Sequence, residues 1–158
     1  MKTLLAIDGS IFGSAALSQA CEIIGSQTSP HVRVLTVYES LAPVMSEPFV
    51  PMPVYSQEIV DELRQKAEQI AAGAVVKLTE KLPDATVSSC VKMDEPGSAI
   101  VSEAKAWNAD LIIVGSHGHG IFGRVLLGSV SDYVIHHAPC SVMVVRSSTN
   151  VRNHNGNN

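Results

Sequence analysis

Long hydrophobic segments are absent from this sequence of 158 residues. Its apolar runs are only a few residues long, whereas a helix that crosses a bilayer needs about 20. The N-terminus, Met1-Lys2-Thr3-Leu4, leads straight into a strand-like pattern and lacks the apolar stretch and cleavage site of a signal peptide. The sequence therefore predicts a cytoplasmic protein with no membrane partner.

Basic clusters and paired cysteines are also missing. The formal net charge is −4 and no block of Lys and Arg occurs, which argues against a nucleic-acid partner. The three cysteines, Cys21, Cys90 and Cys140, are far apart and form no C-x-x-C pair. They indicate neither a disulfide framework nor a zinc site, and we expect them to be small residues in or near the core.

Five short apolar segments are typical of buried strands and alternate with helical patterns. The predicted strands cover residues 3–7, 32–38, 86–92, 110–114 and 141–146. This alternation predicts one α/β domain over residues 1–146, with a single parallel sheet covered by helices on both faces. Residues 147–158 form a polar, Asn-rich tail that we expect to be disordered.

Four helical patterns connect these strands. Ser14 is the expected N-cap of the first helix, and Gly97-Ser98 opens the third. The fourth runs from about Ser129 to His136. The predicted buried side of the long second helix consists of Ile59, Leu63, Ile70, Val75, Leu78 and Leu82. Residues 39–54 contain four prolines and are predicted to form a long loop that borders the pocket or a dimer contact.

Two unusual segments follow the first and fourth predicted strands. Asp8-Gly9-Ser10 follows the first strand, and a glycine-rich stretch from Gly115 to Gly128 follows the fourth. In open parallel sheets, ligands bind beyond the carboxyl ends of the strands where the strand order reverses. The first amides of the fourth helix, at Ser129, Val130 and Ser131, lack internal partners and favour an anion, and the two serine hydroxyls can add hydrogen bonds.

These segments resemble those of the universal stress protein family, and the resemblance extends from Thr3 to Arg146. The nucleotide-binding members carry G-x-x-G, nine residues and then G-S or G-T, which here are Gly115, Gly118, Gly128 and Ser129. The resemblance implies a Rossmann-like fold, similar to adenine nucleotide alpha hydrolases, with an open sheet in the order 3-2-1-4-5. It also implies a stress-response regulatory protein that binds ATP, with ADP or AMP as alternatives.

The family also implies a role for each matching position. Asp8 would contact the ribose or adenine region, while Ala6 and Ile7 would line the base pocket. Val37 would offer backbone groups to the adenine edge, and Val114 and Gly115 would pass beside the nucleoside. The phosphates would be held by Gly118, Gly128, Ser129, Val130 and Ser131. A divalent ion, Mg²⁺ or Mn²⁺, can bridge phosphate oxygens, and Arg124 either reaches a phosphate or is a solvated loop charge.

Dimerisation and catalysis are further expectations. Family members dimerise through their last strands, and residues 141–146 form an apolar segment without proline, which is suited to edge pairing. A slow ATPase or autophosphorylating enzyme is the alternative function. We expect catalysis to be weak at most, because no Lys lies in the glycine-rich stretch and we assign no catalytic residue.

Other ligand motifs fit less well. Gly118 to Gly123 matches G-x-G-x-x-G, but the strand should end at its first glycine, and here the strand ends at Gly115. No G-x-x-x-x-G-K-[ST] segment occurs, which argues against a P-loop. His117 and His119 form an H-x-H pair without an evident third ligand, so we assign no metal site to side chains.

Overall fold

The computed structural model describes residues 1–39, 57–117 and 127–146. Its five strands are β1 Lys2–Ala6, β2 His31–Tyr38, β3 Thr86–Met93, β4 Leu111–Gly115 and β5 Ser141–Val145. The four helices are α1 Ile11–Ile24, α2 Gln57–Lys81, α3 Pro96–Trp107 and α4 Ser129–His137. None of the helices described there is both long and apolar enough to cross a membrane.

All strand pairs are parallel, and the sheet order is β3-β2-β1-β4-β5. The predicted fold class, strand order and helical coverage are therefore confirmed. Two cores flank the sheet because residues alternate between its faces. Leu5 faces the core under α1 and α2, whereas Leu4 faces the core under α3 and α4. Because these strands are parallel and adjacent, the carboxyl ends of β1, β2 and β4 meet at one edge of the sheet.

The start of α1 differs from the sequence prediction. Its N-cap is Ser10, whose hydroxyl accepts a hydrogen bond from the Gly13 amide at 3.1 Å, and not Ser14. Strand β1 accordingly ends at Ala6, one residue before the predicted end. Because the helix starts four residues earlier than predicted, its first turn lies directly against the loop that follows β1.

The buried face of α2 agrees with the prediction only in part, since Leu78 and Leu82 are buried as predicted. It consists of Ala67, Ala71, Ala74 and Leu78, while Ile59 is 39% exposed. The prediction followed the large apolar residues and therefore missed the three buried alanines. Ile70 lies beside this face, and its side chain packs over the backbone of Gly9.

A group of charged residues lies between β2, β3 and α3. Glu103, whose side chain is only 9% exposed, binds Arg33 at 2.7 Å and Lys92 at 2.6 Å. The Arg33 guanidinium also lies over the ring of Trp107, 4.5 Å from its centroid. Burial by itself raises the pKa of Glu103, but the hydrogen bonds from Lys92 and Arg33 outweigh burial and lower it.

We expect Glu103→Gln to lower the free energy of unfolding at pH 7 by roughly 1–2 kcal/mol, because both cations then lose their carboxylate. This expected loss of stability is modest because Arg33 and Lys92 are about one-third exposed, so that solvent screens their charges. Because the pKa of Glu103 is lower in the folded state than in the unfolded state, its carboxylate stabilises the folded protein at pH values above the unfolded-state pKa. This stabilisation is lost as the pH falls through the folded-state pKa. Urea unfolding should therefore show a smaller difference between variant and wild type at pH 3 than at pH 7. An equal difference at both pH values would contradict this assignment.

Candidate functional site

A cavity of about 320 Å³ opens at the edge where β1, β2 and β4 end. The starts of α1, α3 and α4 complete its wall. Its lining residues are Ala6, Ile7, Asp8, Gly13, Leu35, Val37, Glu39, Pro96, Gly115, His117, Gly128, Ser129, Val130 and Ser131. The cavity thus lies at the position where the order of the strands reverses, because β1 pairs with β2 on one side and with β4 on the other.

Most of the residues predicted for the site line this cavity. Those present are Ala6, Ile7, Asp8, Val37, Gly115, Gly128, Ser129, Val130 and Ser131. Val114 does not line it; its side chain is 3% exposed and packs in the core under α3 and α4. Gly118 and Arg124 lie outside the described residues, as do most of the proline-rich segment and the polar tail.

Five lining residues were not predicted: Gly13, Leu35, Glu39, Pro96 and His117. His117 lies inside the glycine motif, and its position between Gly115 and Gly118 could have indicated it. Leu35 precedes Val37 by two residues, so both face the same side of β2. Gly13 and Pro96 belong to helix starts, and only the three-dimensional arrangement brings them to this edge.

The helices that begin at this edge differ in how their first amides are satisfied. Ser10 caps α1, and the Glu95 carboxylate caps α3 by accepting from Gly97 and Ser98 at 2.9 and 2.7 Å. Helix α4 starts from Gly128, and within the described residues no side chain caps it. Within the part of the chain that the structure describes, the amides at the start of α4 therefore have no side-chain acceptor, and the helix dipole adds a partial positive charge.

Hydrogen bonds connect the start of α4 to Ser116, the residue that follows β4. The Gly128 amide donates to the Ser116 carbonyl at 2.7 Å. The Ser131 hydroxyl lies within hydrogen-bond distance of the Ser116 and Gly128 carbonyls, at 3.1 and 2.9 Å. A hydroxyl has a single proton to donate, and that of Ser131 is used by these carbonyls. Ser131 would therefore bind an anion through its backbone amide.

Two further polar groups of the cavity, those of Asp8 and His117, also contact neighbouring residues. Asp8 Oδ1 accepts a hydrogen bond from the Ser10 amide at 3.0 Å. The His117 ring lies 3.2 Å from the Ser116 hydroxyl and tilts against Phe12, with 5.2 Å between the ring centroids. Glu39 supplies a second carboxylate at the end of β2.

This lining suits a ligand with three different parts. The amides of α4 favour an anion, and the carboxylates of Asp8 and Glu39 favour hydroxyl or amino donors. Ala6, Leu35 and Val37 provide an apolar surface for a flat, poorly hydrated group. Among the described residues, no cluster of His, Cys, Asp and Glu could hold a metal ion by itself.

Comparison with known proteins identifies relatives along nearly the whole chain. The model of the universal stress protein family matches residues 1–146. A universal stress protein of Synechocystis, Sll1388, is 32% identical over 155 residues, which cover 92% of this chain and 97% of that protein. The solved universal stress protein UspA of Lactobacillus plantarum superimposes with a TM-score of 0.76 at 24% identity, covering 92% of this chain and 97% of that one.

A third similarity involves a structure that holds a ligand. A universal stress protein family protein of Arabidopsis thaliana, solved with AMP bound, has a TM-score of 0.63 and 20% identity. The match covers 94% of this chain and 93% of that one. The matched family model and the Synechocystis relative together show that this chain belongs to the universal stress protein family.

Proposed function

We propose that this chain binds an adenine nucleotide in the cavity and acts as a regulatory protein. The observation that carries the proposal is the start of α4, where Ser129, Val130 and Ser131 line the cavity and no side chain among the described residues caps the helix. Helices α1 and α3 begin at the same edge but are capped by their own side chains. The bound AMP of the Arabidopsis thaliana protein, which shares this fold, supports an adenine nucleotide as the ligand.

The nucleotide would lie across the three parts of the lining. Adenine would pack near Ala6, Ile7 and Val37, with the Val37 backbone meeting its edge, and Asp8 would accept from the ribose or base. The phosphates would contact the amides of Ser129, Val130 and Ser131. Gly115 would pass beside the nucleoside, and we retain Gly118 as a further phosphate contact on the sequence motif alone.

We propose ATP as the principal ligand, with Mg²⁺ or Mn²⁺ bridging its phosphates. The described lining contains two carboxylates and no Lys or Arg, whereas a helix N-terminus supplies only about half a positive charge. A divalent ion would supply the charge that a triphosphate needs.

Calorimetric titration with ATP, ADP, AMP and adenosine, each with and without Mg²⁺, tests this function. We expect saturable binding of the nucleotides, and a larger loss of ATP affinity than of AMP affinity when EDTA removes the metal, because ATP carries more charge. The supernatant of the purified, heat-denatured protein should contain an adenine nucleotide. Failure to detect saturation with any of these compounds, with Mn²⁺ also tried, would refute the proposal.

We also propose a cytoplasmic homodimer that pairs through β5. The three cysteines are free thiols, as expected for a reducing compartment, and burial is the main cause that raises the pKa of each. Strand β5 is an edge strand of the sheet, and its apolar Ser141–Val145 segment can pair with a second copy.

Val144→Pro tests the dimer. The Val145 carbonyl accepts from Ser116 beside β4, so the Val144 amide points away from β4 by strand alternation. Proline at this position removes an outward donor while the bonds to β4 stay in place. We expect dimer dissociation to become at least about tenfold easier, as light scattering over a dilution series would show. Unchanged dimerisation of the folded variant would exclude pairing through β5.

A further inference from the structure

The first turn of α1 lies unusually close to the carboxylate of Asp8. A Cβ built at Gly13 would be 2.9 Å from Asp8 Oδ1, 3.3 Å from the Asp8 amide nitrogen and 3.5 Å from Ile7 Cβ. Gly13 itself is buried, lines the cavity and donates its amide to the Ser10 cap. Any side chain at position 13 therefore competes with the Asp8 carboxylate for the same space.

We infer that Gly13 is a positioning residue of the nucleotide site, whose lack of a side chain sets where the Asp8 carboxylate lies. The inference rests on the proposed role of Asp8 as the acceptor for the ribose or base. Binding groups must be held within about 0.5 Å of their productive position. A contact at 2.9 Å has to lengthen by about that amount to become an ordinary contact, so even an alanine would move the carboxylate out of place.

Helix propensity by itself predicts that alanine at position 13 raises stability, whereas the contact with Asp8 predicts a loss of nucleotide affinity. Alanine is about the best helix former, and glycine is among the poorest. Gly13→Ala should therefore change the melting temperature by no more than about 2–4 °C, because the contacts of the new Cβ with Asp8 Oδ1 and the Asp8 amide nitrogen oppose the gain in helix propensity. Its affinity for AMP or ATP should nevertheless fall about tenfold, the value of one hydrogen bond to a charged group.

Gly73 offers a matched control. It lies in α2, and a Cβ built there meets no atom within 4 Å. Gly73→Ala should raise the melting temperature by roughly 2–4 °C, because no contact opposes the gain in helix propensity, and should leave nucleotide affinity unchanged. A fall in affinity for Gly13→Ala alone would therefore come from its location and not from a stiffer helix.

A double-mutant cycle with Asp8→Ala tests the mechanism. If Gly13 acts through the Asp8 carboxylate, Gly13→Ala should lower affinity about tenfold in the wild type and have no effect once Asp8 is alanine. Equal losses in both backgrounds, or no loss in the wild type, would overturn the inference. Should Gly13→Ala fail to fold, Asp8→Ala must restore folding of the double variant, and failure to do so would also overturn it. Absence of nucleotide binding by the wild type would instead refute the proposed function.

Discussion

Gly128→Val is expected to weaken ATP binding about 100-fold or more while leaving adenosine affinity within a few-fold of wild type. The φ of Gly128 is −77°, so valine can adopt the backbone conformation. The effect is steric instead, because a Cβ there lies 3.2 Å from the Ser116 carbonyl oxygen and 3.3 Å from His117 Cα. Backbone atoms cannot rotate away as side chains do, so the residues around Gly128 must shift, and the amides of α4 would then turn from the proposed phosphate position. Loss of two charged hydrogen bonds accounts for the size of the effect.

Calorimetric titration of the variant with ATP, AMP and adenosine measures this difference. Adenosine serves as the internal control, since it lacks the groups that the amides would hold. Urea unfolding should show a modest loss of stability, about 1–3 kcal/mol. If the folded variant binds ATP as tightly as wild type, the α4 amides do not hold the phosphates.

Leu35→Ala is expected to lower both stability and affinity, reducing the free energy of unfolding by about 2–5 kcal/mol. The Leu35 side chain is fully buried in the core under α3 and α4, together with Ala6 and Val114. It also belongs to the lining of the cavity. Truncation would leave a void beneath the proposed base pocket, so adenosine and ATP should lose affinity equally, by roughly threefold to tenfold.

Leu78→Ala is the matched control for this variant. Leu78 is also fully buried, but it lies in α2 on the opposite face of the sheet and does not line the cavity. Urea unfolding should show a stability loss of similar size, and titration below the melting range should show unchanged affinity. An affinity loss of equal size in both variants would mean that it reflects general destabilisation and not the pocket.

Local sequence patterns predicted the strands and the order of elements well. The apolar runs around Leu4, Val34 and Ile113 are buried on both faces of the sheet, and nothing outside the chain is needed to recognise them. The glycine spacing likewise indicated Gly115 and Gly128 as cavity residues, because close approach of the backbone to a ligand favours glycine.

Patterns failed where two alternatives were locally equivalent. Ser10 and Ser14 both precede helical sequence, and only the packing of the β1–α1 loop selects Ser10 as the cap. In α2 the large apolar residues correctly indicated Leu78 and Leu82, but the pattern did not mark the three alanines that make up the rest of the buried face. Residues such as Pro96 carry no local signal, since their place at the cavity depends on the crossing of α3 over the sheet.

The sequence by itself determined the alternation of strands and helices, the parallel sheet and the glycines that line the cavity at positions 115 and 128, because these depend on periodicity and on backbone freedom. The tertiary structure decided which helix starts are capped, which glycine lies against Asp8 and which side chains share the cavity. Those features depend on distances between segments that are far apart in the chain, and such distances are fixed only when the elements pack together.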